Sequence, residues 1–222
     1  IYIDGSEAVY DSTDWKYNPV KYWTHTGTHS FTAYSYYNST DKVYAPDVAY
    51  DRTNESIVIP EYTITAANQF DFMYAYETRS MNEQNPYRPV ELDMQHLFAA
   101  VQFNVVNTAY INRQDNDGVR NIRFISFSLG GIHDTGSATI TPDASPTITL
   151  GGSSSSSLFS RSRTAGENVI LEHNQAYNVY SSLNNGSENG ADKYGEDGFI
   201  LIWPHTIADF SGATATLTYQ ME

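Results

Sequence analysis

The sequence contains no cysteine, so no disulfide bond stabilises its fold. It also has no long apolar run. The longest uninterrupted one, at residues 199–204, is far shorter than the roughly 18 residues that a membrane helix requires. We therefore expect no membrane-spanning segment. A chain of 222 residues is long enough to bury a core that folds without covalent crosslinks.

Basic residues are scarce. The chain has 12 lysines and arginines against 26 aspartates and glutamates, which gives a net charge of −14. A charge of this sign repels the phosphates of nucleic acids and the headgroups of anionic lipids. We therefore predict no binding to nucleic acid and no binding to a membrane surface.

Catalytic and cofactor motifs are also missing. The sequence has no P-loop and no dinucleotide fingerprint, and Gly151-Gly152-Ser153 lacks the second downstream glycine of a nucleophile elbow. Glu91 and Asp93 lie two residues apart on one strand pattern, which is more typical of a solvated face than of a glycosidase site. We predict that the protein is not an enzyme and has no catalytic residues and no cofactor.

What the sequence does contain is a succession of strand patterns separated by turn residues. No window of 12 or more residues has a 3.6-residue apolar period, so the sequence predicts an all-β fold. The longest pattern spans residues 90–106, and its apolar positions change face at His96, which indicates a bulge or a crossing between two sheets. Further strands are predicted at residues 31–37, 56–59, 69–76, 121–129, 137–141, 147–150, 168–172, 176–181, 199–203 and 213–220.

A domain boundary is predicted just before the long pattern, because Pro86 and Pro89 interrupt strand pairing there. We expect an N-terminal β-sandwich domain at residues 1–89 and a C-terminal β-sandwich domain at residues 90–222. The polar loops at 112–118, 151–157 and 184–198 are expected at the tips of a sandwich, because strand patterns flank each of them.

The six histidines form no metal-binding signature. His25 and His29 would share a face of a strand but lie about 13 Å apart, too far to bind one ion. His96 is expected to be a structural residue, hydrogen-bonded where the chain changes sheets. Asp115-Asn116-Asp117-Gly118 resembles the opening of a calcium loop, but a hairpin turn is the favoured interpretation. No metal site is therefore predicted, and calcium at Asp115 and Asp117 is left open.

Tyrosine is in excess, with 18 residues. Its apolar ring and polar hydroxyl suit cross-strand packing, which is the role expected for most of them. Four aromatic residues are candidates for a different role, a contact surface that stacks on sugar rings or docks a protein. These are Trp15, Tyr17, Tyr22 and Trp23.

Several short segments occur in the order seen in a known family. Tyr22-Trp23, FTAY at 31–34, DFMYA at 71–75, HLFA at 96–99 and FILIWP at 199–204 resemble segments of the Bacteroidales fimbrillin family. Members of that family are type V pilus subunits and related surface proteins. The resemblance implies two β-sandwich domains of transthyretin-like type with Greek-key connections. It also implies further strands beyond both ends of this sequence, so that the first domain would be incomplete at its start and the second at its end.

The resemblance implies a function as well. The protein would be a structural subunit of a bacterial surface fimbria, exported to the outer membrane and contributing to adhesion. Its partners would be other copies of itself or other fimbrial subunits, joined by strand exchange. In that mechanism the removal of an N-terminal strand leaves an open sheet edge, which a strand of the next subunit fills.

A second hypothesis from a different class stays open. The chain would be a surface adhesin or lectin module that does not polymerise and that holds a host glycan or a host protein on its aromatic residues. A coplanar pair of exposed Trp and Tyr rings would favour this hypothesis. A long open apolar groove would favour polymerisation.

Overall fold

The computed structural model describes residues 6–22, 24, 26–36, 48–65, 71–81, 89–108, 121–142, 144–152, 159–162, 169–180 and 198–222, without the side chains of residues 35, 36 and 81. The regular structure in these residues is sixteen β-strands and one short 3-10 helix. The elements are β1 (Ala8–Tyr10), β2 (Trp15–Tyr17), β3 (Gly27–Tyr36), β4 (Ala49–Asp51), β5 (Ser56–Thr63), β6 (Phe72–Met81), β7 (Gln95–His96), β8 (Ala99–Val101), β9 (Asn104–Val106), β10 (Ile122–Gly130), β11 (Thr135–Ile140), β12 (Thr147–Gly151), β13 (Phe159–Ser162), β14 (Ala176–Asn178), β15 (Ile200–Ile202), the 3-10 helix η1 (Ile207–Gly212) and β16 (Thr214–Met221).

The strands form several sheets, and every pairing whose register is described is antiparallel. The sheets have the orders β12-β11-β5-β4, β13-β10-β16 and β3-β6-β7, with two-stranded pairs β1-β2, β14-β9 and β15-β8. The prediction of an all-β fold is confirmed, and the antiparallel sheets are consistent with a β-sandwich. The transthyretin-like type and the Greek-key connections stay predictions.

The chain folds as two compact units. One comprises Ile1–Ala33 and Ala75–Asp93, and the other comprises Tyr34–Tyr74 and Met94–Glu222. The strands β3 and β6 each begin in one unit and end in the other, so the chain passes between the units within a strand. The predicted domain boundary at residue 89 stays a prediction.

The prediction of one long strand at residues 90–106 is wrong. Residues 90–94 are not in a strand, and β7, β8 and β9 pair with three different partners, β6, β15 and β14. Leu97 and Phe98 are neighbours in sequence and both are buried, although successive side chains of a strand point to opposite faces. The chain bends after His96, so both side chains can be buried. The predicted crossing between sheets at His96 is confirmed, because β7 and β8 belong to different sheets.

Other predictions were incomplete. The segment predicted as a strand at 168–172 forms, in its described part, an isolated bridge between Ile170 and Arg123. The short strands β1, β2, β4 and β13 and the helix η1 were not predicted. These elements have three to six residues each, too few for an apolar period to be recognised.

Trp203 lies at the centre of the core in the larger unit. Its side chain is fully buried, and the ring of Phe98 packs edge-on against it with centroids 4.9 Å apart. Its indole N–H donates a hydrogen bond of 3.2 Å to the carbonyl oxygen of Tyr62. Gly136 makes room for the ring, because a Cβ there would lie 2.8 Å from the indole carbons. The core is therefore closely packed around one large side chain.

A bulge in β10 aligns the core residues of its sheet. The register of β10 against β16 shifts between Phe124 and Ser126, which leaves Ile125 as an extra residue. Phe124 and Phe127 can therefore face the core together, although they are three positions apart, a spacing that puts side chains on opposite faces of a regular strand. Tyr177 packs against Phe124 at 5.1 Å. On this face of β10, Phe124, Phe127 and Leu129 are buried.

Candidate interaction surfaces

β16 is the last strand of its sheet. It pairs with β10 along one edge, and no strand among the described residues pairs with its other edge. The outer edge therefore presents a row of backbone N–H and C=O groups that another chain can pair with.

The apolar residues of β16 point to the core side of the sheet. Directly opposed residues of an antiparallel pair lie on the same face. The opposed residues are Ala215 and Leu129, Leu217 and Phe127, Tyr219 and Phe124, and Met221 and Ile122. The row Ala215, Leu217, Tyr219 and Met221, here called the open strip, therefore continues the core row of β10 by one strand.

Exposure changes sharply between these two neighbouring rows. Phe124, Phe127 and Leu129 are buried, whereas Tyr219 is 51% exposed and Met221 is 59% exposed. Neighbouring strands lie only about 4.8 Å apart, so the layer that covers β10 ends before it reaches β16. If another chain covered the exposed half of each large side chain, the free energy of association would gain about 1 kcal/mol per side chain. This is roughly half of the value for burying such a side chain completely.

The free edge is held in a fixed position at its far end. Asn121 and Glu222 exchange backbone hydrogen bonds of 2.9 and 3.0 Å. The guanidinium of Arg123 forms an ion pair with the carboxylate of Glu222. β16 is therefore an ordered template for pairing.

β16 also lacks the features that protect sheet edges. Natural edges are kept from pairing by short strands, by lysine or proline, or by bulges. The eight residues of β16 include no charged residue and no proline. The edge strands β4, β12 and β13 have three to five residues. The edge strand β3 has ten residues, none of them Lys, Arg, Asp, Glu or Pro, and its Tyr34 is 43% exposed. What marks β16 is its register, which places the open strip directly beside the buried row of β10.

The predicted aromatic surface is described in part. Trp15 is 70% exposed and Tyr22 is 78% exposed, whereas Tyr17 is half-buried and its hydroxyl donates to the carbonyl oxygen of Lys21 at 3.2 Å. Trp15 packs against Tyr10 on the β1-β2 hairpin, with ring centroids 5.6 Å apart and planes inclined by 45°. Trp23 lies outside the described residues. The Tyr10 and Trp15 rings are therefore exposed but not coplanar.

The structure also describes some of the residues that were considered as metal ligands. His96 forms a 2.7 Å hydrogen bond through Nδ1 to Oδ2 of Asp71, which confirms the prediction of a hydrogen-bonded histidine at the crossing. His25 and residues 115–118 lie outside the described residues, so calcium there stays open. In the part of the chain that the structure describes, no three His, Asp or Glu side chains are placed to share a metal ion.

These features define a class of protein: an all-β protein with antiparallel sheets, one of which ends in an unprotected apolar edge. In the described part of the chain no helix is long and apolar enough to cross a membrane. A family model described as fimbrillin-like matches residues 2–204, and the chain belongs to that family. No curated protein and no solved structure matches the chain.

Family membership confirms the fimbrillin-like resemblance found in the sequence. It also indicates the general role of the protein. Fimbrillin-like proteins are structural proteins, and the family indicates a surface-exposed fimbrial subunit that associates with other fimbrial subunits. The open strip was not among the predicted site residues. Its alternation of apolar residues with threonine predicted the strand correctly, but nothing in that alternation shows which side of the strand is covered.

Proposed function

We propose that the protein is a structural subunit of a type V pilus and that subunits join by strand exchange at the free edge of β16. The observation that carries this proposal is the open strip, a core row that continues onto an edge strand and is left half exposed. Export to the outer membrane surface and a contribution to adhesion through the fibre belong to the same proposal.

In this mechanism an extended segment of the next subunit lies beside β16. Its backbone forms hydrogen bonds with the outer edge, and each bond contributes about 0.5–1.5 kcal/mol. Every second side chain of the segment faces the core side, because side chains alternate along a strand. Apolar residues at those positions extend the open strip and fix the register, since a shift by one residue would turn them to the other face.

Charge also favours this edge as the joint. Two copies of a chain with a net charge of −14 repel each other over most of their surfaces. β16 has no charged residue from Thr214 to Met221, so an approaching segment meets no like charge on the strand itself. The remaining repulsion is screened by salt, and assembly should therefore be faster at high than at low ionic strength.

A spin label on β16 tests the proposal. The chain has no cysteine, so Thr216→Cys gives a single labelling site on the face opposite the open strip. We expect the label to be mobile in the monomer and immobilised in fibres, because an added strand would lie beside it. A matched label at Thr139→Cys, an exposed position on the interior strand β11, should keep its mobility. Fibres in which the label at position 216 stays mobile would rule out this edge as the joint.

A second candidate function is a surface adhesin module that binds a host glycan or a host protein without polymerising. The exposure of Trp15 and Tyr22 favours it, because large aromatic side chains on a surface commonly mark contact sites. Under this alternative, Trp15→Ala should weaken binding to an immobilised host glycan or protein by roughly tenfold, the value of one aromatic contact. The change Ile207→Ala, at a 94% exposed position elsewhere, serves as the control. Equal binding by both variants would remove this surface from consideration.

A further inference from the structure

Two histidines that are far apart in sequence meet beside the segment that leads into β16. His133 lies in the turn between β10 and β11, and His205 lies between β15 and η1. The backbone N–H of His133 donates a hydrogen bond of 3.0 Å to Nε2 of His205. The two rings pack with their centroids 5.6 Å apart. This pair is called the histidine clasp below.

The hydrogen bonds determine the tautomer of His205. Its Nε2 accepts from a backbone N–H, so this nitrogen carries a lone pair and no proton. Its Nδ1–H donates to the carbonyl oxygen of Trp203. The ring is therefore neutral with its proton on Nδ1. A second proton can enter only at Nε2, where it would face the N–H of His133 and replace a hydrogen bond by a repulsive contact.

Protonation of His133 would not break a hydrogen bond. Its Nδ1 lies 2.7 Å from the carbonyl oxygen of Gly152 and 3.2 Å from that of Gly151. Carbonyl oxygens only accept hydrogen bonds, so Nδ1 carries the proton and Nε2 is the nitrogen that takes up another. A charged His133 keeps its hydrogen bonds, and only a charged His205 loses one.

The clasp attaches η1 to the turn between β10 and β11. No residue of this helix is buried, and Ile207 is 94% exposed. Phe210 packs on the ring of His205 at a centroid distance of 5.0 Å. The backbone at Gly212 touches the turn at Gly131, where a Cβ would lie 2.0 Å from the carbonyl oxygen of Gly212. The helix is therefore held to the turn by the clasp and by this backbone contact, and β16 begins two residues after it.

We propose that His205 is a positioning residue for the assembly edge, and that its protonation releases η1, the segment that leads into β16, from the turn that contains His133. This inference rests on the proposed function only for its consequence, which is slower assembly in mildly acidic solution. The opening of the clasp itself is a property of the single chain.

Asp209 in η1 interacts electrostatically with both histidines of the clasp. Asp134 follows His133 in the chain, and its carboxylate accepts a hydrogen bond from the hydroxyl of Thr135. Hydrogen bonds from the Thr206 side chain and backbone hold the pKa of Asp209 below its ordinary value of 3.8, with the two histidines as minor causes. A lowered carboxyl pKa contributes stability that is lost only as the pH falls below that value. Asp209 therefore stays charged between pH 8 and pH 5.

Histidine-selective ¹⁵N NMR and one spin label test the proposal on the monomer. At pH 8 the His205 nitrogens should show the tautomer with the proton on Nδ1, and a label at the exposed position Ile207→Cys should have the restricted mobility of a surface site on an ordered helix, with only a minor fully mobile fraction. Between pH 8 and pH 5 the mobile fraction of that label should rise by roughly tenfold, the population change that the loss of one hydrogen bond produces. A mobile fraction that does not change with pH, or the opposite tautomer, would overturn the proposal.

Two variants of His205 distinguish an effect of its protonation from a merely structural role of its side chain. His205→Gln keeps an acceptor for the N–H of His133 and cannot be protonated, so the mobile fraction of its label should stay at the pH 8 value down to pH 5. His205→Lys should give a mobile label at every pH. The matched control is His96→Gln, which removes the exposed histidine paired with Asp71 and should leave the pH response of the label intact. A pH response that persists in His205→Gln would contradict the proposal.

Assembly is then measured separately. If the clasp opens with acid but fibres form equally fast at pH 5 and pH 8, the switch exists and its link to assembly is wrong. If fibres form through another edge, the label at position 216 reports this and the behaviour of the label at position 207 is unaffected. The failure of the proposed function and the failure of the clasp are therefore distinguishable.

Discussion

Lysine in place of Tyr219 is expected to leave the monomer folded and to weaken fibre assembly strongly. Tyr219 is 51% exposed, so the change should alter the free energy of unfolding by no more than about 1 kcal/mol. In the assembled state an added strand would cover position 219. The lost apolar burial together with a desolvated charge would then cost roughly 2–4 kcal/mol at each joint. This corresponds to about a thirtyfold or larger increase in the protein concentration needed for assembly.

The measurement is sedimentation velocity combined with electron microscopy over a range of protein concentrations, with urea unfolding to confirm stability. Thr218→Lys is the matched control, because it places the same charge on the same strand but on the opposite face. It should weaken assembly much less than Tyr219→Lys. If both variants assemble as the unmodified chain does, the open strip takes no part in the joint.

The largest loss of stability is expected from Trp203→Ala. The ring is fully buried, packs edge-on against Phe98 and fills the space beside Gly136, so truncation leaves a cavity that the closely packed surroundings cannot close. Such changes cost about 3–5 kcal/mol. The variant also leaves the carbonyl oxygen of Tyr62 without its indole donor, which adds to the loss.

Urea unfolding followed by far-ultraviolet circular dichroism measures this loss without relying on the fluorescence of the residue that is removed. Trp15→Ala is the control, because Trp15 is 70% exposed and its removal should change the free energy of unfolding by less than about 0.5 kcal/mol. Similar values for the two variants would show that the core is not organised around Trp203.

The sequence predicted most of the longer strands because their signal is local. In β11 and β16 apolar and polar residues alternate with a period of two, which indicates an extended chain with two different faces. The same reasoning failed at residues 90–106. The apolar positions there serve three different sheets, and a pattern of alternation does not reveal that the partners change.

The candidate aromatic surface stays a prediction. Trp15 and Tyr22 are exposed, as a contact surface requires, but Tyr17 is half-buried and the rings of Tyr10 and Trp15 are inclined to each other. Residue type indicated which side chains could form contacts. The angle between two rings depends on the hairpin that pairs them, which the sequence pattern did not reveal.

By itself, the sequence determined the all-β class, the strand character of β16 and the family, because composition, alternation and the order of short segments are properties of the chain alone. Only the tertiary structure decided that the apolar row of β16 is left uncovered and that His133 meets His205. Whether a face is covered depends on where the opposite layer ends. A hydrogen bond between residues 72 positions apart depends on how the intervening strands pair. Both are set by long-range packing, which no local pattern encodes.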